Sequence, residues 1–529
     1  LGSRLAALLL GVPLLVLGLG VGGAGWLPKE WLPGFVADYR FSLQVLGPTV
    51  AAIGLGLLLR PRLRRRHLLP GLAVALGAYF LVTYFVIGKY ENRGETNIVG
   101  PLRGVLLTLC VVVLVVHWES ATRALGRALA RFRGMRAVAV PAMSYPLHKK
   151  FRTGMTLAMF SVVLLSIGFF SIFGALFQSD PTRQTGGYDI EARTTLTVPD
   201  LAAYDQGLVP AGAIADQVRV SEFRTEQRSF ITVEGQEVGT FRDYRHVVYG
   251  YDEAFARTQD FELIERIPEY ASDRAAYEGV LARTDQVIVS YLYSTSPEGQ
   301  ALVHEAGDTL QIHLGDQVQN FTIAGIQEQF HFPGVFLPAA RVDAMFAGTA
   351  DVYLYKLAPG VDPEATAKLL ERNYRDVGMD AKASLAEVLE EQASFRQVLG
   401  AMKLFLGLGL LVGVLSLGII TSRSVLERRQ EIGMLRALGY TGKQVRRIFF
   451  SEVTLTVLVG SVVGVACAIV VTFGLWFAVI RERNYPYVVP WAEIGVLIVV
   501  SYLVALLATA APIGRSAKVA PAEALRYVE

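Results

Sequence analysis

Eight apolar runs of near membrane-spanning length dominate the chain. A helix needs about 20 consecutive apolar residues to cross a bilayer. The fourth run is the shortest, because Gly100 and Pro101 precede it and His117 closes it. The pattern predicts a polytopic α-helical membrane protein with about eight transmembrane helices. The runs lie at about residues 5–23, 43–59, 69–88, 104–118, 155–177, 402–421, 450–476 and 493–514.

A different pattern fills residues 178–400, between the fifth and sixth runs. Here short apolar runs alternate with polar residues between Gly and Asp turns, which is typical of strands. The segment is long enough for its own core, and it contains no cysteine, so packing must stabilise it. We predict one large α+β domain, called here the inserted domain. Its clearest strands are predicted at Tyr188–Ala192, Phe230–Val233, Gln286–Val289, Thr309–Leu314 and Asn320–Ile326, and its helices at Pro363–Tyr374 and from Ser384 onward.

The inserted domain is expected to connect rigidly to the sixth run. No proline occurs from Leu385 through Ile420, and an amphipathic stretch passes directly into the apolar run. Such a helix would be about 50 Å long at 1.5 Å per residue. This predicts a helical stalk that continues as the sixth span. Five glycines of the sixth and seventh spans are predicted to face neighbouring helices, since small residues let membrane helices approach closely: Gly407, Gly409, Gly413, Gly460 and Gly464.

Composition agrees with a membrane protein. Hydrophobic residues make up 52% of the 529 residues, charged residues 18%, and the mean hydropathy is +0.40. The net charge of +3 is small and by itself says nothing about nucleic acid; the Arg and Lys residues lie in patches between the apolar runs. Membrane lipid is an expected contact, and no nucleic-acid partner is predicted. Both cysteines, Cys110 and Cys467, lie in apolar runs, which predicts packing residues and neither a disulfide nor a metal site.

The distribution of Arg and Lys predicts the orientation, because short cytoplasmic loops carry an excess of them. Basic clusters lie after the second run, at 60–66, between the fourth and fifth runs, at 123–152, and between the sixth and seventh. An even number of runs separates these clusters, so all three fall on one side. We predict a multi-pass membrane protein with the inserted domain extracytoplasmic and the C-terminus cytoplasmic; the resemblance described below implies that the membrane is the cytoplasmic membrane of a prokaryote.

Residues 422–449, called here the coupling segment, show the pattern of an amphipathic helix and a turn. Val425, Ile432, Leu435 and Leu438 recur at helical intervals. Gly439 supplies a C-terminal stop, and Thr441 with Gly442 is predicted to make a turn before the next apolar run. The pattern alone leaves open a solvated loop between membrane helices. The charged residues on the remaining arc are Arg428, Arg429, Glu431 and Arg436.

The residues of this segment resemble a known family. The run from Glu431 to Gly439, EIGMLRALG, with Gln444, Arg447 and Glu452 after it, resembles the coupling segment of FtsX-like permeases, the membrane subunits of MacB-type ABC transporters. Three further stretches are similar to the family and follow its order along the chain. They are Ser144–Phe160, without the Asn and Pro often found there, Gly307–Leu310 with Phe321–Gly325, and Pro521–Arg526.

The resemblance implies a domain order. An FtsX-like unit has one span, a large outer domain and three more spans, and residues 144–529 follow that order. The chain begins with Leu1 instead of Met, and we expect a second FtsX-like permease unit upstream on a longer product or on a separate chain. The predicted domains are four joining spans (1–118), a basic cytoplasmic linker with an interfacial helix (119–154), the first span of the unit (155–177), the inserted domain with its stalk (178–400), a span (401–421), the coupling segment (422–449), two spans (450–514) and a cytoplasmic tail (515–529).

Catalytic chemistry is not predicted in this chain. A phosphate-binding loop needs G-x-x-x-x-G-K-[ST], and no such run occurs, so ATP and Mg²⁺ are expected on a partner ATPase. The histidines of the inserted domain lack the spacing of a metal motif, although His304 and His313 could meet across strands. We therefore predict no catalytic, cofactor-binding or metal-binding residues.

The resemblance implies a permease that transmits ATP-driven motion. A dimeric ABC ATPase would bind the coupling segment and move the outer domain, for export or extraction of lipid, lipoprotein or peptide, or to act on an envelope partner protein. The apolar residues Ile432, Leu435 and Leu438 are expected to form a knob. The complete set of predicted ATPase-coupling residues is Arg428, Arg429, Glu431, Ile432, Gly433, Leu435, Arg436, Leu438 and Gly439.

Two other functions are alternatives to transport by an ABC permease. A non-transporting scaffold that regulates a cell-envelope hydrolase has the same coupling segment, so this segment does not separate the two. An ion-coupled carrier usually places ionisable residues in mid-membrane. The apolar runs are almost free of them, which argues against a carrier.

Overall fold

The computed structural model contains a bundle of apolar helices and one large sheet with its own helices. Most of the predicted linker (119–154) and tail (515–529) lies outside the described residues, as do His246 and His331. The structure describes residues 2–27, 31–33, 40–61, 63, 65–83, 99–117, 150–176, 180–195, 198, 200–224, 229–233, 236–237, 247–293, 304–314, 317–328, 332–346, 350–477 and 486–516.

Among these residues, five helices are long and apolar enough to cross a membrane. They correspond to the second, fifth, sixth, seventh and eighth predicted spans. The first, third and fourth correspond to shorter apolar helices. The helices are α1 Gly2–Ala24, α2 Arg40–Leu59, α3 Arg65–Val82, α4 Val99–His117, α5 Lys150–Leu176, α6 Pro181–Gln184, α7 Glu253–Thr258, α8 Asp273–Ala282, α9 Ala339–Met345, α10 Pro363–Asn373, α11 Ser384–Glu427, α12 Arg429–Ala437, α13 Gly442–Leu475 and α14 Trp491–Ser516.

Helices α1 and α2 touch through their glycines. A Cβ added to Gly18 would lie 2.2 Å from the backbone N of Ala51, and one added to Gly47 would lie 2.2 Å from that of Gly22. No side chain fits at such distances, so glycine is what permits the two backbones to meet. Helix α4 then joins this region to the remaining bundle, because it packs against α3, α5 and α13.

Helix α13 packs against both α5 and α14. Gly464 faces α5, where an added Cβ would lie 2.5 Å from the carbonyl oxygen of Ser161. The Ser161 hydroxyl donates a hydrogen bond to the Gly460 carbonyl at 2.9 Å. The helix-packing role predicted for Gly460 and Gly464 is therefore confirmed.

The prediction for the glycines of the sixth span is only partly right. Gly413 faces Met159 of α5, whose Sδ would be 2.8 Å from an added Cβ. Added Cβ atoms on Gly407 and Gly409 meet nothing within 4 Å. The packing face predicted for these two positions is therefore wrong for the part of the chain that the structure describes, where no helix lies against that side of α11.

Helix α11 is the longest element, with 44 residues from Ser384 to Glu427. At 1.5 Å per residue it is about 66 Å long. The uninterrupted helix predicted from Leu385 through Ile420 is present. It begins in the inserted domain and ends at the coupling segment, so these two parts lie at opposite ends of one rod.

Twelve strands of the described residues form one mixed sheet in the inserted domain. They are β1 Ile190–Arg193, β2 Ile214–Arg224, β3 Ser229–Val233, β4 Gln236–Glu237, β5 Val247–Tyr251, β6 Leu263–Arg266, β7 Gln286–Ser290, β8 Thr309–Leu314, β9 Gln317–Gln327, β10 Val335–Pro338, β11 Ala350–Leu357 and β12 Asp380–Ala383. Their order is β12-β1-β11-β2-β5-β10-β7-β9-β8-β3-β4, and β6 also pairs with β9. The pairs β5–β10 and β7–β9 are parallel.

All five predicted strands are present within a few residues of their predicted bounds. The family-like strand pair is also confirmed, since β8 and β9 are antiparallel neighbours with Leu310 opposite Phe321. Strands β5 and β10 were not predicted. Apart from their end residues they are buried, so they lack the apolar and polar alternation that identifies a half-exposed strand.

The sheet is covered by apolar residues on both faces. Successive residues of β5 enter different clusters, because side chains alternate along a strand: Tyr249 joins Phe336 on one face, and Val248 joins Val335 and Leu337 on the other. Helices α7 and α8 cover the first of these faces through Phe255 and Tyr277. The domain therefore has its own core, as the sequence predicts.

The stalk begins directly at the edge of this sheet. Strand β12 pairs with β1 and runs without a loop into α11. The backbone N–H of Ser384 donates to the Asp189 carbonyl at 2.9 Å. The Asp189 carboxylate accepts a hydrogen bond from the Leu357 N–H at 2.7 Å. The first turn of α11 is thus fixed to two strands of the inserted domain.

Candidate coupling site

The coupling segment starts with a break in the helix at Arg428. This residue has φ −99° and ψ 17°, outside the helical region, and separates α11 from α12. Its N–H still bonds the Ser424 carbonyl at 3.0 Å, and its carbonyl accepts from the Ile432 N–H at 2.9 Å. The single amphipathic helix predicted from Val425 to Leu438 is therefore wrong: Val425 belongs to α11 and packs inside the bundle.

Arg428 follows the last residue of α11, is buried, and contacts α12 and α13 through its side chain. Its Nε lies 2.9 Å from Oε2 of Glu431 on α12, and its Nη1 lies 2.9 Å from Oε2 of Glu452 on α13. The guanidinium carbon lies 4.9 Å from the centroid of the Phe449 ring, in a cation–π contact. Arginine suits this position because its planar fork can pair with two carboxylates while it stacks on an aromatic ring. One side chain thus sets how α11, α12 and α13 meet.

The inner face of α12 packs against the protein itself. Ile432 is 2% exposed and belongs to an apolar cluster with Val425, Val445 and Phe449. Gly433 is also buried. Ile432 was predicted as part of the knob that faces the ATPase. In the structure Ile432 packs α12 onto α11 and α13.

The outer face of α12 carries the accessible apolar residues. Met434 is 51% exposed and Leu438 is 79% exposed, and Ala437 is exposed between them. Glu431 borders this surface, while Arg429 and Arg436 are half-buried at its sides. We call Met434, Ala437 and Leu438 the outer face. Of the three predicted knob residues, only Leu438 is fully exposed; Leu435 is half-buried.

Gly439 ends α12 in the predicted way. Its φ is +95°, a conformation that L side chains rarely adopt. Its N–H bonds the Arg436 carbonyl at 3.1 Å, and the Tyr440 N–H bonds the Leu435 carbonyl at 3.0 Å. These two bonds form a Schellman motif. The apolar contact that often accompanies this motif is present too, since Leu435 and Tyr440 both pack on Ile448.

Thr441 starts α13 with a capping box. The Gln444 N–H donates to Thr441 Oγ1 at 3.3 Å, and the Thr441 N–H donates to Gln444 Oε1 at 2.7 Å. The two side chains thereby satisfy two backbone donors at the helix start. We predicted a turn at Thr441 and Gly442, but Gly442 is already the first helical residue. The spacing Thr-x-x-Gln was the sequence signal for this cap.

A second contact ties α11 to α5. Arg152 Nη1 lies 3.2 Å from Glu427 Oε2, and the same guanidinium donates to the carbonyl of Ile420. Helix α5 leads into the inserted domain and α11 leads out of it. The two helices that flank the domain are therefore connected beside the coupling segment.

The two histidines of the inserted domain that could have met across strands, His304 and His313, have different partners. His304 Nδ1 lies 3.7 Å from Asp308, whereas His313 Nε2 lies 3.0 Å from the Thr232 hydroxyl. Among the described residues, no group of three His, Cys, Asp or Glu side chains is placed to hold a metal ion. The coupling segment is thus the candidate site that the described structure supports best.

Known proteins are similar to this chain in the region that contains the coupling segment. Residues 403–521 match the family model described as FtsX-like permease C-terminal. This range includes most of α11, all of α12 and α13, and α14. The resemblance seen in the coupling segment is confirmed.

Three known proteins are similar to this chain over part of their lengths. The chain is 31% identical over 121 residues to the uncharacterized ABC transporter permease YknZ of Bacillus subtilis, covering 23% of this chain and 30% of that protein. It is 32% identical over 171 residues to an uncharacterized ABC transporter permease of Methanocaldococcus jannaschii, covering 31% and 41%. It is 32% identical over 145 residues to the lipoprotein-releasing system transmembrane protein LolC of Haemophilus influenzae, covering 26% and 37%. The matches therefore span less than half the length of each relative.

Proposed function

We propose that this chain, which carries an FtsX-like permease C-terminal domain, is the membrane subunit of an ABC transporter and transmits ATP-driven motion to the inserted domain. The observation that carries the proposal is the unbroken helix α11, which joins the coupling segment to the inserted domain. A separate ATPase dimer would bind ATP and Mg²⁺. The role of this chain is then mechanical.

Both ends of α11 are held by specific contacts, as a transmitting rod requires. At one end Ser384 bonds Asp189 of the sheet. At the other end Arg428 pairs with Glu431 and Glu452. A helix that is packed in a protein moves as a unit, because the close-packed protein interior around it resists compression and transmits strain. A displacement of α12 would therefore be carried to the strands that hold Ser384.

The outer face of α12 is the proposed contact with the ATPase. Its exposed Met434 and Leu438 offer an apolar centre, and Glu431, Arg429 and Arg436 lie around it. Interfaces of this kind draw most of their affinity from a few buried apolar anchors inside a polar rim. In this arrangement Ile432 and Gly433 lie on the inner face of α12, where they hold the helix in place and do not touch the ATPase.

The ion pair between Arg152 and Glu427 extends the same motion to α5. Because α5 and α11 enter the inserted domain at its two chain ends, a tilt of the pair would move the whole sheet. We propose that the moving domain acts on lipid, lipoprotein or peptide at the extracytoplasmic surface, together with a second FtsX-like unit. One relative is a lipoprotein-releasing system protein by name, which supports lipoprotein as one candidate substrate.

The test is binding of the cognate ATPase to outer-face variants. Met434→Asp combined with Leu438→Asp should weaken co-purification of the ATPase at least about 30-fold, because a lost hot-spot pair costs about 2 kcal/mol or more. The matched control is Leu208→Asp, which changes an exposed leucine of the inserted domain. The control should bind the ATPase as the wild type does.

Unchanged co-purification of the double variant would contradict the proposed contact. A second measurement separates transport from a scaffold role: ATPase activity in proteoliposomes with and without candidate lipoprotein. Stimulation by the lipoprotein supports transport. Direct binding of a cell-wall hydrolase to the full chain, without such stimulation, would favour the scaffold.

A further inference from the structure

A groove of about 630 Å³ lies between α2, α3 and α4, away from the coupling segment. Its walls are almost entirely apolar, and Ile53, Leu69 and Leu109, one from each helix, are exposed there. Arg60, just beyond the end of α2, is the charged residue in the lining. The groove is therefore amphipathic along its length, with an apolar trough and a basic end.

The length of the groove matches one leaflet of a bilayer. Its lining on α2 runs from Thr49 to Arg60, which is about 16 Å along a helix at 1.5 Å per residue. The hydrocarbon core of a bilayer is about 30 Å thick. With Arg60 at the predicted cytoplasmic interface, the trough extends to about the middle of the membrane.

The shape of the groove favours a chain-like occupant. Its lining extends along about three turns of α2 and is almost entirely apolar apart from Arg60. An elongated apolar trough of this kind fits one acyl chain of a membrane lipid. A membrane-spanning helix, which is about 10–12 Å across with its side chains and about 30 Å long, is much larger than the groove.

The basic end indicates the charge of the headgroup. The connection from α2 to α3 and the first turn of α3 contain an arginine cluster in sequence: Arg60, Arg62, Arg64, Arg65 and Arg66. Arginine clusters next to the cytoplasmic end of a membrane helix attract anionic lipids, and basic pockets between helices bind their headgroups. Of this cluster, Arg60 has a described side chain, and it lines the groove.

We propose that the groove between α2, α3 and α4 binds one acyl chain of an anionic phospholipid from the cytoplasmic leaflet, with the lipid phosphate at Arg60. The site lies on the joining helices and is independent of the proposed ATPase contact. Since α4 packs against α5 and α13, the bound lipid sits beside the helix that attaches the joining spans to the FtsX-like unit.

The test uses the purified full chain and native mass spectrometry with added phosphatidylglycerol or phosphatidylcholine. The wild type should retain one phosphatidylglycerol more strongly than phosphatidylcholine. Arg60→Gln should weaken phosphatidylglycerol retention about fivefold, which corresponds to the loss of one arginine near a lipid phosphate. Ala52→Trp, which fills the groove, should abolish retention of that one lipid.

Two variants serve as controls. Leu17→Trp places the same bulk on the exposed face of α1, and Arg446→Gln removes an exposed arginine at the start of α13. Both should retain the lipid. Equal retention by the wild type and Arg60→Gln would overturn the phosphate assignment, and full retention by Ala52→Trp would overturn the groove.

A photo-crosslinking residue at Ile53 gives a readout that does not depend on the Trp variant folding. In membranes that contain phosphatidylglycerol, it should form a lipid adduct. A protein adduct in place of the lipid adduct would show that another polypeptide covers the groove and would overturn the proposal.

Discussion

Arg428 and Glu452 form an ion pair, with 2.9 Å between Nη1 and Oε2, that fastens the junction of α11 and α12 to α13. The two side chains are 9% and 16% exposed. A charge at so little exposure is costly unless it is paired. The pair therefore makes the angle between the three helices depend on one contact, at the point where the ATPase is proposed to act.

Removal of one partner should destabilise this junction strongly. Arg428→Ala leaves Glu452 nearly buried without its main counter-charge, and such losses cost about 3–5 kcal/mol. We expect a lower unfolding midpoint in detergent and weaker ATPase co-purification. Arg428→Met combined with Glu452→Leu should recover part of the midpoint, because no uncompensated charge remains.

Arg423→Ala is the control for that experiment. Arg423 is 79% exposed and pairs with Glu427 at 2.7 Å, and exposed pairs contribute about 0–1 kcal/mol. Its unfolding midpoint should stay near that of the wild type. An equal loss in Arg423→Ala and Arg428→Ala would mean that Arg428 has no special place in the junction.

Replacement of Gly439 should weaken the end of α12. Gly439→Val forces a branched side chain into a φ of +95°, at a cost of at least about 1–2 kcal/mol. ATPase co-purification should fall while membrane insertion is kept. Gly495→Ala is the matched control, because that glycine is helical and an added Cβ meets nothing within 4 Å. If both variants bound the ATPase equally, the geometry of this turn would not matter for coupling.

Loss of the cap at Thr441 should fray the first turn of α13. Thr441→Ala removes the oxygen that accepts from the Gln444 N–H and should cost about 0.5–2 kcal/mol. Hydrogen exchange of the amides of residues 442–446 should speed up. Thr441→Ser retains the oxygen and should restore protection, whereas exchange as fast as in Thr441→Ala would argue against the capping role.

Two glycine substitutions should shift stability in opposite directions. Gly464→Ala places a Cβ 2.5 Å from the Ser161 carbonyl, and overpacking of this kind costs about 1–3 kcal/mol. Gly407→Ala meets nothing within 4 Å and should gain about 0.5–1 kcal/mol from helix propensity. Unfolding midpoints in one detergent measure both effects. A stable Gly464→Ala would contradict the close contact between α5 and α13.

Local patterns predicted the elements that depend on local chemistry. The uninterrupted α11 follows from the lack of proline, and the end of α12 follows from Gly439. Both depend on residues next to one another in the chain. The capping box at Thr441 and Gln444 was also readable from spacing, although it was interpreted as a plain turn.

The face of α12 was harder to predict, because periodicity shows which residues share a side and not where that side points. Ile432 and Leu438 both fit the apolar pattern, yet one is buried in the bundle and the other is exposed. The buried state of Arg428 depends on Glu452, 24 residues later on another helix. Such a partner becomes visible only when the helices are placed in space.

The central claim is that motion at the coupling segment reaches the inserted domain through α11. It can be tested with spin labels on the reconstituted permease and ATPase, one at Leu208 in the inserted domain and one on α14 at Val496. The distance between the labels should change on ATP binding in the wild type. The change should be clearly smaller when a flexible Gly-Ser linker interrupts α11 after Gly407, in a variant that still binds the ATPase, because only the contact between Arg152 and Glu427 then carries motion to the inserted domain through α5. The same ATP-dependent distance change with and without the linker would contradict the account.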